Sequence, residues 1–339
     1  MRDLIDRLLE SSELTHQEIE FIFAKMLAGE LSDAEIAAVL AAWRLRGEGP
    51  DELYAGAVGL RRHAASIALP DAARPLVDNC GTGGDGAGSF NLSTAAAIVA
   101  ASAGARVAKH GNRSVSSRCG SADLLFAAGF PDTLTPAGAG RLLETTGFTF
   151  FFAPSFHQVM RHVAPVRKAL GVRTIFNLLG PLANPIAPEY QLIGVGAHRY
   201  LRPMAETLAR LGVRRALVVH SRDGLDELSP AAATDMLLVE GDHITEMVVE
   251  PATLGVKATL ADLAGGDASQ NLVILRRLLD GEANGVAEAV ALNAGAVLWL
   301  AEHAATLAEG VALARRHIAS RTARSHFDAW IASAQALVP

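Results

Sequence analysis

Asp78-Asn79-Cys80-Gly81-Thr82-Gly83-Gly84-Asp85-Gly86-Ala87-Gly88-Ser89-Phe90-Asn91-Leu92-Ser93-Thr94 is the stretch that decides how this chain is read. Five glycines fall between Gly81 and Gly88. The apolar pair Leu76-Val77 precedes them and the Ala-rich run from Ala95 to Ala103 follows, so the glycines join a strand to a helix. Glycine tolerates positive φ and lets the backbone approach a ligand closely. Exposed amides in such a turn, backed by the first turn of a helix, favour an anion. Ser93 or Thr94 is the expected N-cap, with its hydroxyl facing the same ligand. No Gly-Lys-Ser/Thr follows, so this is not the P-loop. Gly81 to Gly86 fits G-x-G-x-x-G, a weak signal alone. At this point a glycine-rich turn without a ligand stays open.

A second segment, Lys109-His110-Gly111-Asn112-Arg113-Ser114-Val115-Ser116-Ser117-Arg118, follows the strand-like run from Ala105 to Ala108. Lysine and arginine pair with phosphate oxygens, and hydroxyls complete the shell. Taken alone it could be a solvated basic turn. In a parallel sheet, however, loops after successive strands gather at one edge, where ligands bind. A third segment, Asp223-Gly224-Leu225-Asp226-Glu227, follows the apolar run from Ala216 to His220. Adjacent carboxylates beyond a strand end suit Mg²⁺, which takes one or two carboxylates and fills its octahedron with phosphate oxygens and water. An exposed acidic turn is the plainer reading of that segment alone.

Together the three segments resemble the anthranilate phosphoribosyltransferase family. The resemblance spans essentially the whole chain: Cys80 to Thr94, Lys109 to Asp123, Phe151 to Pro154, Pro165 to Leu182, Gly224 to Glu227 and Leu292 to Ala296. Cys119, where a small or polar residue is usual, and Ser89, where Thr is common, depart from the pattern. The resemblance implies transfer of a phosphoribosyl group from phosphoribosyl pyrophosphate to the amine of anthranilate, with release of pyrophosphate. It implies that Gly81, Gly84, Asp85, Ser89, Asn91, Leu92, Ser93 and Thr94 hold phosphoribosyl pyrophosphate. Lys109, Asn112, Arg113, Ser114, Ser116 and Ser117 would close over its phosphates, and Ser121 would add a hydroxyl. Ser93, Asp226 and Glu227 would ligate Mg²⁺, two ions per site. Gly81, His110, Asn112 and Arg167 would border anthranilate, and Lys109, His110 and Arg167 are the catalytic candidates. His110 is either a base or orienting group near the amine, or a hydrogen-bonded loop histidine. Arg173 either orients the anthranilate loop or, as expected here, caps a helix. His157 and His162 read as structural or surface groups. Displacement at a ribose C1 passes through an oxocarbenium-like transition state, by analogy with glycoside chemistry. Stabilising the departing charge therefore matters more than activating an amine that is already unprotonated.

Two rival readings stand beside this one. A pyrimidine nucleoside phosphorylase shares the Lys-His-Gly-Asn type of loop but needs no Mg²⁺ carboxylates. A nucleic-acid-binding relative would lack the glycine loop and would show a basic excess. This chain has 339 residues and a formal net charge of −6. Half of its residues are hydrophobic but only 5% are aromatic, so its core is built from Ala, Leu and Val. Two cysteines, Cys80 and Cys119, make no disulfide framework and read as small packing residues. The charged N-terminus and the interrupted apolar stretch from Val290 to Ala314 point to a cytoplasmic protein without a membrane span.

The expected architecture is α/β: a small N-terminal helical domain and a larger domain with a mainly parallel central sheet flanked by helices. Thr15-x-x-Glu18 and Ser32-x-x-Glu35 are capping boxes. Ile36, Val39, Leu40 and Trp43 share one helical face, Gly29 and Gly47 stop helices, and Pro50 starts one. From Leu76 strand and helix alternate, with strands at 105–108, 148–153, 191–195 and 216–220. The helical domain is expected at 1–70, rejoined by about 163–182, and the α/β domain at 71–162 and 183–339. The family suggests a homodimer through the helical domain, with the aromatic substrate between the two domains.

Overall fold

The computed structural model describes residues 1–10, 13–114 and 118–338. The candidates Ser116 and Ser117 lie outside the described residues. Four helices open the chain: α1 (Arg2–Leu9), α2 (His16–Ala28), α3 (Asp33–Arg46) and α4 (Pro50–Arg62). Both capping boxes form. Thr15 Oγ1 accepts from the Glu18 amide at 3.3 Å while Glu18 returns an acceptor to the Thr15 amide at 2.8 Å. Ser32 and Glu35 repeat the exchange at 3.3 and 2.9 Å. Gly29 ends α2 in the left-handed region at φ 74°. The predicted face of α3 is buried, and Trp43 stacks on Phe23 with ring centroids 5.0 Å apart.

The sheet comprises β1 (Val77–Asn79), β2 (Val107–Gly111), β3 (Phe148–Phe152), β4 (Tyr190–Gly194), β5 (Arg215–Ser221), β6 (Thr234–Glu240) and β7 (His243–Val249). Its order is β3-β2-β1-β4-β5-β6-β7. The first five strands in that order pair in parallel, and β6 and β7 add antiparallel. The mainly parallel sheet is as expected, but β6 and β7 were not anticipated. Their sequence holds the missed signal: two strand-like runs on either side of Gly241-Asp242 form a hairpin pattern.

Helices α5 (Leu92–Ser102), α6 (Ser121–Ala127) and α7 (Pro136–Thr146) follow β1 and β2. Between β3 and β4 come the short α8 (Ala153–Phe156), α9 (Ala164–Leu170) and α10 (Phe176–Leu179). Then α11 (Leu201–Arg210) follows β4, and α12 (Ala268–Leu279), α13 (Gly285–Leu300), α14 (Leu307–Ala319) and α15 (Thr322–Gln335) close the chain. The sheet separates two cores by the alternation of its side chains. Leu192, Leu217, Val219, Met236 and Leu238 face α5 and the C-terminal helices. Ile193, Ala216, Val218, Leu237 and Val239 face α11 and the N-terminal helices. Val166, Ile175, Phe176 and Leu179 belong to that second core, so the segment between β3 and β4 packs against the N-terminal helices. The interrupted apolar stretch from Val290 to Ala314 falls in the helix pair α13 and α14. This pair packs backbone to backbone at Gly295, where a Cβ would stand 2.5 Å from the Val311 amide nitrogen. Among the described residues no helix is long and apolar enough to cross a membrane.

Candidate active site

Strand order reverses direction at β1, whose neighbours are β2 and β4. In an open parallel sheet such a switch point leaves a crevice at the carboxyl ends of the strands. The glycine loop leaves β1 there, the Lys-Arg loop leaves β2, and the acidic turn leaves β5. They enclose a cavity of about 380 Å³. Every described phosphate, metal and aromatic-substrate candidate lines it: Gly81, Gly84, Asp85, Ser89, Asn91, Leu92, Ser93, Thr94, Lys109, His110, Asn112, Arg113, Ser114, Ser121, Arg167, Asp226 and Glu227.

Close backbone approach explains the glycines here. A Cβ on Gly81 would stand 2.4 Å from Asp226 Oδ2, and one on Gly194, at the end of β4, 1.5 Å from the Asp226 carbonyl oxygen. The acidic turn is thereby seated against both strand ends. The Gly83 amide donates to Asp226 Oδ2 at 2.6 Å. The Ser93 amide donates to Glu227 Oε1 at 3.2 Å, which joins two of the three expected metal-site residues. From behind, Asn293 on α13 accepts from the Leu228 amide at 3.0 Å and donates to its carbonyl at 2.9 Å. Burial pushes the Asp226 carboxyl up to about 6, with Asp85 adding to the effect. It pushes Glu227 up to about 8, with Asp226 beside it. Two carboxylates whose charged forms are disfavoured in this way fit a divalent cation, which would offset both their mutual repulsion and their lost hydration. Among the described residues there is no cluster of three or more His, Cys, Asp or Glu side chains arranged for a metal. The remaining coordination would fall to oxygens of other groups.

The expected N-cap is corrected. Helix α5 begins at Leu92 with Asn91 as N-cap and no side-chain cap bond, and Ser93 and Thr94 lie inside its first turn. Asn91 cannot cap because its carboxamide is engaged elsewhere: it donates to the Cys119 carbonyl at 3.0 Å and accepts from Asn271 at 2.8 Å. The orphan amide of Ser93 is met instead by Glu227, a carboxylate at a helix N-terminus supplied from a distant part of the chain. Leu92 buries its side chain in the core.

Strand β2 runs on past the expected Ala108, so Lys109 and His110 lie in the strand; Lys109 is buried and its ammonium donates to the Asn79 carbonyl at 2.5 Å. Arg113 faces Asp123 at 3.4 Å and lies 4.9 Å over the Phe126 ring. The Asp123 carboxylate also gathers the Ser114 and Gly120 amides, each at 2.9 Å, and Ser121 Oγ donates to the Asn112 carbonyl at 3.3 Å. His110 is buried. Its Nδ1–H donates to the Gly180 carbonyl at 3.0 Å, so Nε2 carries the lone pair, and it has no hydrogen-bond partner. Burial, with His157 nearby, pulls the ring down to about 3. His110 is a neutral acceptor in the site. The Cys80 and Cys119 thiols are pushed up by burial to about 12 and about 11, which makes them inert packing groups.

A second cavity of about 610 Å³ adjoins the first, and His110, Asn112, Arg167, Phe176 and Gly180 line both. Its wall is largely apolar, with Leu60, Pro154 and Met160. His157 is buried in this wall with its ring centroid 5.2 Å from that of His110. Arg167, on α9, lies 5.5 Å over the Phe176 ring and 3.5 Å from Asn177 Oδ1. Arg173 does not cap a helix. Its Nη2 donates to the Thr82 carbonyl at 3.2 Å in the glycine loop, a contact that sequence spacing does not reveal. Asp78 was also missed. Buried beneath the site, it accepts from the His110 amide at 3.2 Å and from Asn184 at 2.9 Å.

The chain matches the profiles of two domains described as glycosyl transferase family. The helical bundle domain matches residues 2–64 and the a/b domain residues 73–324. It is 42% identical to the anthranilate phosphoribosyltransferase of Hydrogenovibrio crunogenus over 99% of this chain and 98% of that one. The crystal structure of the Thermus thermophilus enzyme superposes with a TM-score of 0.90 at 44% identity, covering 98% of this chain and 99% of that one. The Saccharomyces cerevisiae enzyme, solved in complex with phosphoribosyl pyrophosphate and Mg, superposes with a TM-score of 0.89 at 26% identity, covering 98% and 97%. With identity of this level along the whole length, on a shared fold, the chain belongs to the anthranilate phosphoribosyltransferase family.

Proposed function

We propose that this protein transfers the 5-phosphoribosyl group of phosphoribosyl pyrophosphate to the amine of anthranilate and releases pyrophosphate, the reaction of tryptophan biosynthesis. One observation carries the reading: a polar cavity bounded by the glycine loop, the Lys-Arg loop and the Asp226–Glu227 pair opens onto a largely apolar cavity with Arg167 at their shared boundary. The glycine-loop residues Gly81, Gly84, Asp85, Ser89, Asn91, Leu92, Ser93 and Thr94 take phosphoribosyl pyrophosphate. The β2 loop, with Lys109, Asn112, Arg113, Ser114, Ser116, Ser117 and Ser121, closes over its phosphates. Ser93, Asp226 and Glu227 hold Mg²⁺, two ions in this reading, and bound Mg²⁺ supplies neutralisation of the departing pyrophosphate charge.

Arg167 binds the anthranilate carboxylate, since its planar fork matches two oxygens. Gly81 and Asn112 complete that pocket. His110 accepts an N–H of the amine at Nε2 and orients its lone pair toward C1. Its lowered basicity suits orientation better than proton removal. Lys109 holds the start of the glycine loop in register. The acidic pair speaks against a nucleoside phosphorylase. We place the boundaries at 1–70 with 163–182 for the helical domain and at 71–162 with 183–339 for the α/β domain. Cys80 and Cys119 are thiols not joined in a disulfide, which suits a reducing cytoplasm.

Loss of anthranilate fluorescence on mixing with phosphoribosyl pyrophosphate and Mg²⁺ tests the reaction. Activity should vanish with a chelator and fall by at least about a hundredfold in Asp226→Ala. Cleavage of thymidine or uridine by phosphate, with anthranilate left intact, would move the function to the phosphorylases. A homodimer through the helical domain is supported by Leu45 and Val172, which are 89% and 58% exposed and line one surface hollow. Light scattering should give twice the chain mass for the wild type and the single-chain mass for Leu45→Asp. A monomeric wild type removes the dimer from the reading.

A further inference from the structure

Arg173 has no part in the roles above. It lies between α9 and α10, six residues after Arg167, and lines the polar cavity. Its guanidinium covers the glycine loop so closely that a Cβ on Gly84 would stand 1.2 Å from Nη1, and Gly84 itself has φ +85°. Nη2 donates to the Thr82 carbonyl at 3.2 Å. The other side of the loop is held as well. The Gly83 amide donates to Asp226 at 2.6 Å, the Gly196 amide donates to Thr82 Oγ1 at 3.1 Å, and a Cβ on Gly196 would stand 2.8 Å from the Gly83 carbonyl oxygen. Asn177 also lines the polar cavity; its Oδ1 accepts from the Thr174 amide at 2.9 Å and faces Arg167 Nη2, which borders both cavities, at 3.5 Å. Arg167 and Arg173 are thus the two ends of one braced turn. One end faces the aromatic site and the other clamps the phosphate loop.

We propose that Arg173 is the positioning residue that couples the two substrate sites. This rests on the reading given under Proposed function. A pyrophosphate drawn onto the amides of the glycine loop fixes Thr82 and Gly84. These fix the Arg173 guanidinium, which fixes the turn that presents Arg167 to a carboxylate. Linkage makes the effect reciprocal, so a carboxylate on Arg167 tightens the phosphate loop by the same factor. The planar fork bonds a carbonyl while lying against a peptide, a geometry that a lysine ammonium does not reproduce.

The test is calorimetric titration of the full chain with magnesium pyrophosphate, with and without saturating anthranilate, a pair that cannot react. In the wild type, anthranilate should tighten pyrophosphate binding by about fivefold or more. Arg173→Gln and Arg173→Lys should bring that factor close to one while each ligand still binds alone. Gly84→Ala, which needs the same space and the same positive φ, should also lose the coupling, and the double variant should lose nothing further. If Arg173→Gln does not fold, Arg173→Lys gives the answer. Coupling retained in the folded variants, or absent from a wild type that binds both ligands, overturns the proposal. A wild type that leaves anthranilate unconsumed in the fluorescence assay overturns the functional reading instead.

Discussion

At the scale of single residues, burial shifts several titratable groups of the site from their ordinary pKa values, and the signs of their effects differ. Burial depresses His110 to about 3, whereas in the unfolded chain it titrates near ~6.5. Between those values the unfolded chain binds one more proton than the folded one. The stability that His110 contributes is therefore present above pH ~6.5 and is lost as pH falls toward 3. His157 is depressed in the same direction by its own burial. Asp78, pushed up by burial to about 6, works oppositely: its cost is greatest above pH 6 and fades as pH falls toward 4. Replacing the ring with a neutral amide isolates the histidine effect. The His110→Asn variant should lose less stability than the wild type between pH 6.5 and pH 5, by up to about 1.4 kcal/mol per pH unit. Urea unfolding at a series of pH values measures this. Parallel wild-type and variant curves would refute the assignment of a neutral buried imidazole.

At the scale of elements, the acidic turn is positioned by helix α13 as much as by strand β5. Asn293 bonds both main-chain groups of Leu228, the residue after Glu227, and also donates to the Ala289 carbonyl at 3.0 Å. Asn293→Ala leaves the Leu228 groups buried and unpaired and should cost about 2–3 kcal/mol. It should also raise the Mg²⁺ concentration for half-maximal activity by about tenfold, because the carboxylates lose their fixed placement. A destabilised variant with unchanged Mg²⁺ dependence would confine Asn293 to a packing role. The sequence pattern Leu292 to Ala296 flagged this place without revealing its bonds. Legibility follows the range of the physics. The capping boxes, the glycine stop of α2 and the glycine-rich turn after β1 depend on neighbours within a few residues, so they could be read directly. The cap of α5 comes from Glu227, and the clamp on Gly84 from Arg173, both far along the chain. Neither spacing nor propensity encodes a contact between segments that meet only in three dimensions. The β6–β7 hairpin has a local signature of its own at Gly241-Asp242, between two strand-like runs.

At the scale of the whole molecule, the two cores share one sheet. On β5, Leu217 and Val219 belong to one core while Ala216 and Val218 belong to the other, and β6 alternates in the same way. Helix α11 covers the Ala216 and Val218 face of the sheet, and α4 packs against α11 from outside, so the N-terminal helices complete the second core. Arg61 on α4 donates to the Leu182 carbonyl at 2.7 Å, and Tyr200 near α11 donates to Glu48 at 2.9 Å, which adds polar ties across that face. The second core joins both domains, which couples their melting. Scanning calorimetry of the full chain should show one transition, with calorimetric and van't Hoff enthalpies in agreement for the cooperative unit. A chain starting at residue 65 would expose Phe176, which Phe23 meets edge-on, Leu179, which lies against Gly56, and the side of α11 that α4 covers, a patch of the kind that drives association. It should precipitate or bind a hydrophobic dye strongly where the full chain does not. Two resolved transitions, or a shortened chain that stays monomeric with a cooperative melt, would show that the α/β domain completes its core without the helical one. The substrate cavity would then lie between independently folded units rather than in a crevice that the common sheet holds open.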